Sequence, residues 1–505
     1  MEQASETEEK GPQIKKKHDS RKRKPDNSKG KDTGKVKHSR RRRAPTKEEE
    51  EANREKKRLE AEMGTERPPR LPKRQSALLI GFCGSGYRGM QIQPDHTKTI
   101  EGTLFKALVK AGAVSQDNAD DPVKVSLARA ARTDAGVHAA GNVVSLKLIS
   151  AIPGVEDLVA RVNEELPPDI RFWGFVRTQN SFNARLRKYT YFFPSYLLIP
   201  PKPGSGMDGQ QKAYRQSMGL TEPAPLHPFW QDSGESSTKE EDLARKRSWR
   251  VDTQTLDRLK EAAKRYEGTH NFHNFTVGRE FGDRSNSRFM KSITIEEPAV
   301  YGETEWVSVL FHGQSFMLHQ RKMMTALVLS CRTNTPPEVI NKLYEFSDVF
   351  VPKMPSLGLL LEEPLFGQYN SRLSENNAKL KPTDADYRPP IDFEIHRDKI
   401  TEFKEKFIYK NMREIEDRDG LFDAWVRSVD SYAGNDLLYL NPEGKIPEAC
   451  VIKKGERRSN PFREKRVFDT TSSPTAERVK KQLEESDGEE EEEVIDKRLL
   501  AETEG

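Results

Sequence analysis

Residues 132–138 read RTDAGVH and set Arg132, Asp134 and Gly136 between two strand-like runs, "VKVSLA" and "NVVSLKL". In an extended segment, residues two apart share a face, so Arg132 and Asp134 are expected to project together. A guanidinium beside a carboxylate favours the ionised form and fixes its orientation. Gly136 supplies the freedom to turn back into a strand. This suits an ionised aspartate at the mouth of a sheet. A surface ion pair in a hairpin loop fits the spacing at least as well.

Other stretches place reactive or RNA-compatible side chains close together. "RLRKYTYFF" sets Arg185, Arg187 and Lys188 beside Tyr189 and Tyr191. Cations of this kind hold phosphates, and an aromatic ring stacks on an extruded base. A strand with an aromatic core face and a basic solvent face is the plainer alternative. "GFCGSGYRG" follows a strand but lacks the GK[ST] ending of a phosphate loop. It reads as a tight turn whose glycines supply positive φ; a further reading has Tyr87 and Arg88 project onto an RNA backbone. "GTHNFHNF" holds His270 and His273 without a third metal ligand in pattern, so a polar loop is expected and no metal. In "SFMLHQRKMMTALVLSCR", Gln320, Arg321 and Lys322 interrupt an otherwise apolar helix. Buried charge is costly unless paired, which points to a paired or functional Arg321.

The elements around these residues follow from apolar periodicity. "SALLIGF", "NVVSLKL", "IRFWGFVRT", "KYTYFFP", "SITIEE", "WVSVLFHG" and "LGLLLEE" read as strands. Ile100, Leu104 and Leu108 mark a helix stopped at Gly112, and "VEDLVARVNEEL" a second one stopped by Pro167 and Pro168. "DTQTLDRLKEAAKRYEG" is a third, with Asp252 as N-cap. Two successive units mixing helices and strands predict an α+β fold. The expected organisation is a basic arm over 1–73, a first subdomain over 74–195 and an insertion, largely loop, over 196–247. A second subdomain over 248–375, a helical extension over 376–450 and an acidic tail over 451–505 complete it.

The chain has 505 residues, 34% hydrophobic and 33% charged, with a net charge of only +5. That composition predicts disordered flanks around a folded middle. Between Lys15 and Arg43 there are about 15 basic residues against about 3 acidic ones. Clusters such as "RKRKP" and "SRRRR" predict a nuclear-import receptor as partner and a nuclear location. "ESDGEEE" places Ser486 before an acidic run, where an acid-directed kinase would act. The three cysteines show no CxxC spacing, so neither a disulfide framework nor a zinc site is expected. No apolar run reaches the length of a membrane helix.

"ARTDAGVHAAGNVVSLKL", "RKYTY", "GTHNFHNFT", "GQSFMLHQRKMM" and "PSLGLLLEEP" occur in that order over roughly residues 74–370. Together they resemble the TruA family of tRNA pseudouridine synthases, above all its nuclear eukaryotic multisite branch. The resemblance implies two pseudo-twofold-related α/β subdomains sharing a mostly antiparallel sheet around a basic cleft. It implies isomerisation of uridine to pseudouridine in tRNA, with small nuclear RNA or mRNA as further substrates and no cofactor. Asp134 matches the family's catalytic aspartate, acting at the anomeric carbon by a route the sequence does not choose. Arg132 resembles its orienting partner, Tyr189 the ring that stacks on uracil, and Arg321 the second-half arginine that pairs with the aspartate. Leu359 resembles the apolar wall of the uracil pocket. Arg88, Tyr87, Arg185, Lys188 and His138 complete the expected substrate-binding set.

The family's helix motif reads like HQIRKM, whereas here it is HQRKMM. One residue missing from a helix rotates every later residue by about 100°. Arg321 is therefore expected to miss Asp134 unless the helix start readjusts. The segment before Tyr189 is also shortened, with only Leu186 between Arg185 and Arg187. A non-catalytic RNA-binding or RNA-folding protein on the same scaffold is the alternative. A monomer is expected, because the insertion and extension add surface that a bacterial dimer lacks.

Overall fold

A computed structural model describes residues 70–93, 97–178, 184–219, 225–231 and 237–456. The expected import clusters, Ser486 and the acidic block lie outside these residues. The first apolar run forms β1 (Arg74–Phe82), buried from Ser76 onward. Ten strands build one sheet: β2 (Ala128–Arg129), β3 (His138–Leu148), β4 (Ile170–Arg177), β5 (Leu186–Pro194), β6 (Gly268–Asn271), β7 (Ser287–Ile295), β8 (Ala299–Tyr301), β9 (Thr304–Gln314) and β10 (Leu359–Leu365) come after β1. Their order is β4-β1-β3-β10-β5-β9-β7-β6, with β2 on β3 and β8 on β9. Every pairing is antiparallel except β10 with β3. The fold is α+β.

β10 is the seam. Its Leu361 stands opposite Ala139 of β3 on one side and Tyr189 of β5 on the other. A strand late in the chain thus joins the half holding RTDAGVH to the half holding the aromatic strand. Four helices pack behind the sheet or against each other: α1 (Ile100–Lys110), α2 (Leu158–Glu165), α3 (Thr253–Lys264) and α4 (Lys322–Arg332). Thr99 caps α1 and Asp252 caps α3 through their side chains, satisfying amides that a helix start leaves open. All of α4 is buried.

Two expectations change. The 196–247 stretch is not mainly loop: helices span Gly206–Ser217, Pro228–Gln231 and Lys239–Ser248. Few apolar residues betray them. Their ends carry the signal, with Ser205 capping one and a reciprocal Thr238–Glu241 capping box opening another. Lys246 then donates to Asp423 at 2.8 Å inside the protein, tying the insertion to the extension. The second change is that the helix expected from Ser315 begins only at Lys322.

The C-terminal extension is helical, with Arg397–Phe403, a π-helical turn Lys404–Tyr409, Lys410–Asp419 and Leu421–Asp430. It lies on the sheet. Phe403 meets Trp173 edge-on at 5.4 Å, and Tyr409 meets Phe192 at 5.0 Å. Arg332 forks onto the buried Asp430 carboxylate. Among the described residues no helix is long and apolar enough to cross a membrane.

Candidate active site

Asp134 sits just before β3, in an irregular segment that turns at Ala135–Gly136. Arg132, Thr133 and Asp134 belong to no strand, and β3 begins only at His138. Gly136 has φ +76°, and a Cβ there would lie 3.1 Å from the Ser356 hydroxyl oxygen. This left-handed conformation suits glycine, and the chain enters the strand beside the 355–358 loop. The opposite wall is the glycine-rich turn. A Cβ on Gly89, at φ +83°, would lie 2.9 Å from the Thr133 carbonyl oxygen. The Met90 amide donates to that same oxygen at 3.1 Å.

The second half of the chain supplies the partners of Asp134. Between β9 and α4 the chain makes a tight turn in which His319 has φ +57°. The His319 Nδ1 lies 3.0 Å from Asp134 Oδ2, and an Arg321 Nη1 lies 3.9 Å from the same oxygen. Burial pushes the Asp134 carboxyl up. The His319 hydrogen bond and the charges around it, with Arg321 and Lys353 among them, outweigh burial and hold it at about 2. Burial lowers His319, against the pull of Asp134 and with repulsion from Lys353 and Arg321. With its proton on Nδ1 the imidazole donates to the Asp134 carboxylate, and burial disfavours a second proton. The one-residue shortening of the helix motif is therefore absorbed. The turn unwinds the helix start, and Arg321 reaches Asp134 from the residue before α4.

That turn is fastened along its length. The Gln320 side chain accepts from the Met317 amide at 2.7 Å, and Thr276 donates to the Leu318 carbonyl at 2.9 Å. Lys322 donates to the Thr276 carbonyl at 2.9 Å. Asn274 bridges two carbonyls of the 343–347 segment. The "GTHNFHNFT" stretch is thus a bracket for the Arg321 turn. His270 stacks on Tyr344 at 4.3 Å, and His273 is buried. Among the described residues no group of three or more His, Cys, Asp or Glu is placed to hold a metal ion.

Tyr189 is buried in β5 and meets Phe316 edge-on at 4.7 Å. Burial, with the nearby Asp134 charge, raises its phenol, while Arg187 opposes the rise. The Tyr189 phenol is thus held neutral within electrostatic range of the Asp134 carboxylate. Arg187 shares its face, donating to Ser315 at 2.8 Å and to the Ala130 carbonyl at 2.7 Å. Leu359 is half-buried at the start of β10, opposite Tyr191.

An ionised carboxylate from one half is thus held by a histidine and an arginine from the other, beside a buried neutral tyrosine. The family model described as tRNA pseudouridine synthase matches residues 262–366, which include the His319–Arg321 turn and β10. The chain is 38% identical over 429 residues to tRNA pseudouridine synthase 1 of Yarrowia lipolytica, covering 76% of this chain and 79% of that protein. The chain belongs to the tRNA pseudouridine synthase family. A similar relation holds to tRNA pseudouridine synthase 1 of Schizosaccharomyces pombe, 37% identical over 474 residues with 74% and 86% covered. The tRNA pseudouridine(27/28) synthase of Saccharomyces cerevisiae is 35% identical over 385 residues, covering 70% of this chain and 99% of that protein.

Several residues expected at the substrate in this synthase lie elsewhere. Tyr87 is fully buried, with its hydroxyl donating to Asp169 at 3.0 Å. His138 is also fully buried. Its Nδ1 accepts from the Gly84 amide at 3.1 Å, and its Nε2 donates to the Leu357 carbonyl at 3.2 Å. Burial lowers it to about 4, so it is a neutral clamp from the start of β3 to the turns at Gly84 and Leu357. Lys188 points to the sheet face opposite Tyr189 and pairs with Glu363 at 2.7 Å. With the exposed Arg185 it lines a cleft of about 1160 Å³ on that far face. Arg88 is exposed on the turn that packs against the Asp134 segment. Arg132 is half-buried, and its charge acts on the buried Glu101. His319 and Lys353 are not singled out by sequence, and Arg187 is read there only as a cation for phosphate. The polar run HQRK inside an apolar segment was the available sign of a turn rather than a helix.

Proposed function

We propose that this synthase isomerises uridine to pseudouridine in tRNA, with Asp134 as the nucleophile. The observation that carries this reading is the ionised Asp134 carboxylate, held by His319 and Arg321 next to Tyr189. In the proposed reaction a uridine leaves its stack and Asp134 attacks the anomeric carbon of its sugar. The N1–C1′ bond breaks, the uracil rotates while bound, and carbon 5 bonds to C1′. The carbon 5 proton is lost and N1 gains one, so atoms balance and Asp134 is released unchanged. Extruding the base costs a few kcal/mol. Stacking on an aromatic ring returns about 1–3 kcal/mol, the role proposed for Tyr189. Leu359 walls the pocket, and Arg321 and His319 hold the carboxylate. Arg88 and Arg132 contact the RNA backbone and keep the base extruded.

The S. cerevisiae relative named for positions 27 and 28 makes those the first uridines to map, within a multisite specificity. Small nuclear RNA and mRNA are further proposed substrates, met in the nucleus. The basic arm engages an import receptor that brings the enzyme there, and the enzyme acts as a monomer. Purified protein incubated with an unmodified tRNA transcript, followed by chemical mapping, tests the reaction. Pseudouridine at one or more stem uridines is expected; transcripts that bind and stay unmodified would refute it. A fluorescent fusion lacking residues 1–45 tests location, and undiminished nuclear accumulation would refute import through the arm.

A further inference from the structure

The Ser315–Arg321 turn contains a histidine whose conformation and contact are both unusual. Among the described residues only Ser126, His319 and Asn334 have positive φ without being glycine. A bulky side chain rarely adopts this conformation, and when it does the site is often functional. Gln320 accepts from the Met317 amide, Thr276 donates to the Leu318 carbonyl, and the Lys322 amide donates to the His319 carbonyl at 3.0 Å. The residues on either side are thus pinned, and the backbone holds the imidazole toward Asp134. There its Nδ1 is 3.0 Å from Oδ2, nearer than the Arg321 Nη1 at 3.9 Å from the same oxygen.

We propose that His319 is a positioning residue, the principal side chain that orients the Asp134 carboxylate in this shortened version of the motif. Its neutral imidazole donates one hydrogen bond to Oδ2 and leaves Oδ1 turned to the reacting sugar. Arg321 acts at longer range as a countercharge. The charged groups around His319 are Asp134 itself, Arg321 on the same turn and Lys353 on the loop leading to β10. Burial, with repulsion from both cations, outweighs the pull of Asp134 and disfavours a second proton on the imidazole. This inference rests on the nucleophile reading of Asp134.

Three variants test it by single-turnover kinetics on a tRNA transcript, with RNA affinity measured beside the rate. His319→Gly keeps the left-handed backbone and removes the donor. His319→Asn tolerates the same backbone and places an amide N–H close to where Nδ1 stood. A hydrogen bond to a charged group lost in this way predicts a rate lower by about 10- to 100-fold for His319→Gly. RNA affinity is unchanged, and the rate recovers to within about threefold in His319→Asn. Because the lost bond had favoured the ionised carboxylate, the acid limb of the pH–rate profile moves to higher pH in His319→Gly and returns in His319→Asn. A His319→Gly rate equal to the unsubstituted one overturns the proposal. So does a slow His319→Asn with an unmoved acid limb, which marks a purely structural turn. Product from the third variant, Asp134→Asn, would instead overturn the underlying nucleophile reading, whatever the His319 variants do.

Discussion

Lys322 gives the sharpest physical prediction. It opens α4 directly after Arg321 and is 8% exposed. Its ammonium faces the Thr276 carbonyl at 2.9 Å and has no carboxylate within ion-pair distance among the described residues. Burial lowers its pKa from 10.5 to about 7, helped by repulsion from Lys353. The unfolded chain keeps this amine protonated up to about 10, so between pH 7 and 10 it binds more protons than the fold. Stability therefore rises with pH across that window. One proton is worth about 1.4 kcal/mol per pH unit. Raising the pH from 7.5 to 9 should thus add about 2 kcal/mol through this one group. Lys322→Met keeps the unbranched shape and removes the titration. Urea unfolding of both proteins at several pH values isolates the effect, because every other group titrates in both. The difference in unfolding free energy between them should change by about 2 kcal/mol over the window. Parallel pH dependences would show that Lys322 is charged in the fold and would refute the reasoning.

At Tyr189, removing only the hydroxyl in Tyr189→Phe should leave RNA affinity within about twofold, whereas Tyr189→Ala should weaken it by about 1–3 kcal/mol; filter binding reads both. Gly136→Ala places a Cβ at φ +76° and 3.1 Å from Ser356, so a loss of about 1–2 kcal/mol and a slower single-turnover rate are expected. Gly154→Ala, also left-handed but with open space around it, should carry a similar stability cost and leave the rate alone. Asp430→Ala strands the buried Arg332 guanidinium and should cost about 3–5 kcal/mol in chemical denaturation. Asp430→Ala combined with Arg332→Met should recover much of that loss.

The strands were legible because their apolar runs are short and bounded by turn residues. The joining of the halves was not, since β10 pairs with β3 and β5 only through contacts distant in sequence. Asp134, Tyr189 and Arg321 could be picked out by residue type and by resemblance, and the fold brings them together. His319 was hidden because an apolar periodicity running through it reads as helix. A single left-handed residue changes both where the helix begins and what the imidazole touches. Tyr87 and His138 show the reverse problem. A polar ring in a glycine-rich or motif-adjacent segment resembles a ligand contact, yet both rings are fully buried and hydrogen-bonded between loops. Lys188 was misassigned because a basic strand face gives no sign of whether it shares the site or backs it. The insertion helices were missed because caps and one buried ion pair carry them, with little apolar periodicity to read.

The most direct test of the central claim is pseudouridine formation in an unmodified tRNA transcript by the purified protein and its Asp134→Asn variant, with RNA affinity measured for both. The account predicts product from the unsubstituted protein alone, with RNA affinity nearly equal. Product from Asp134→Asn would contradict it.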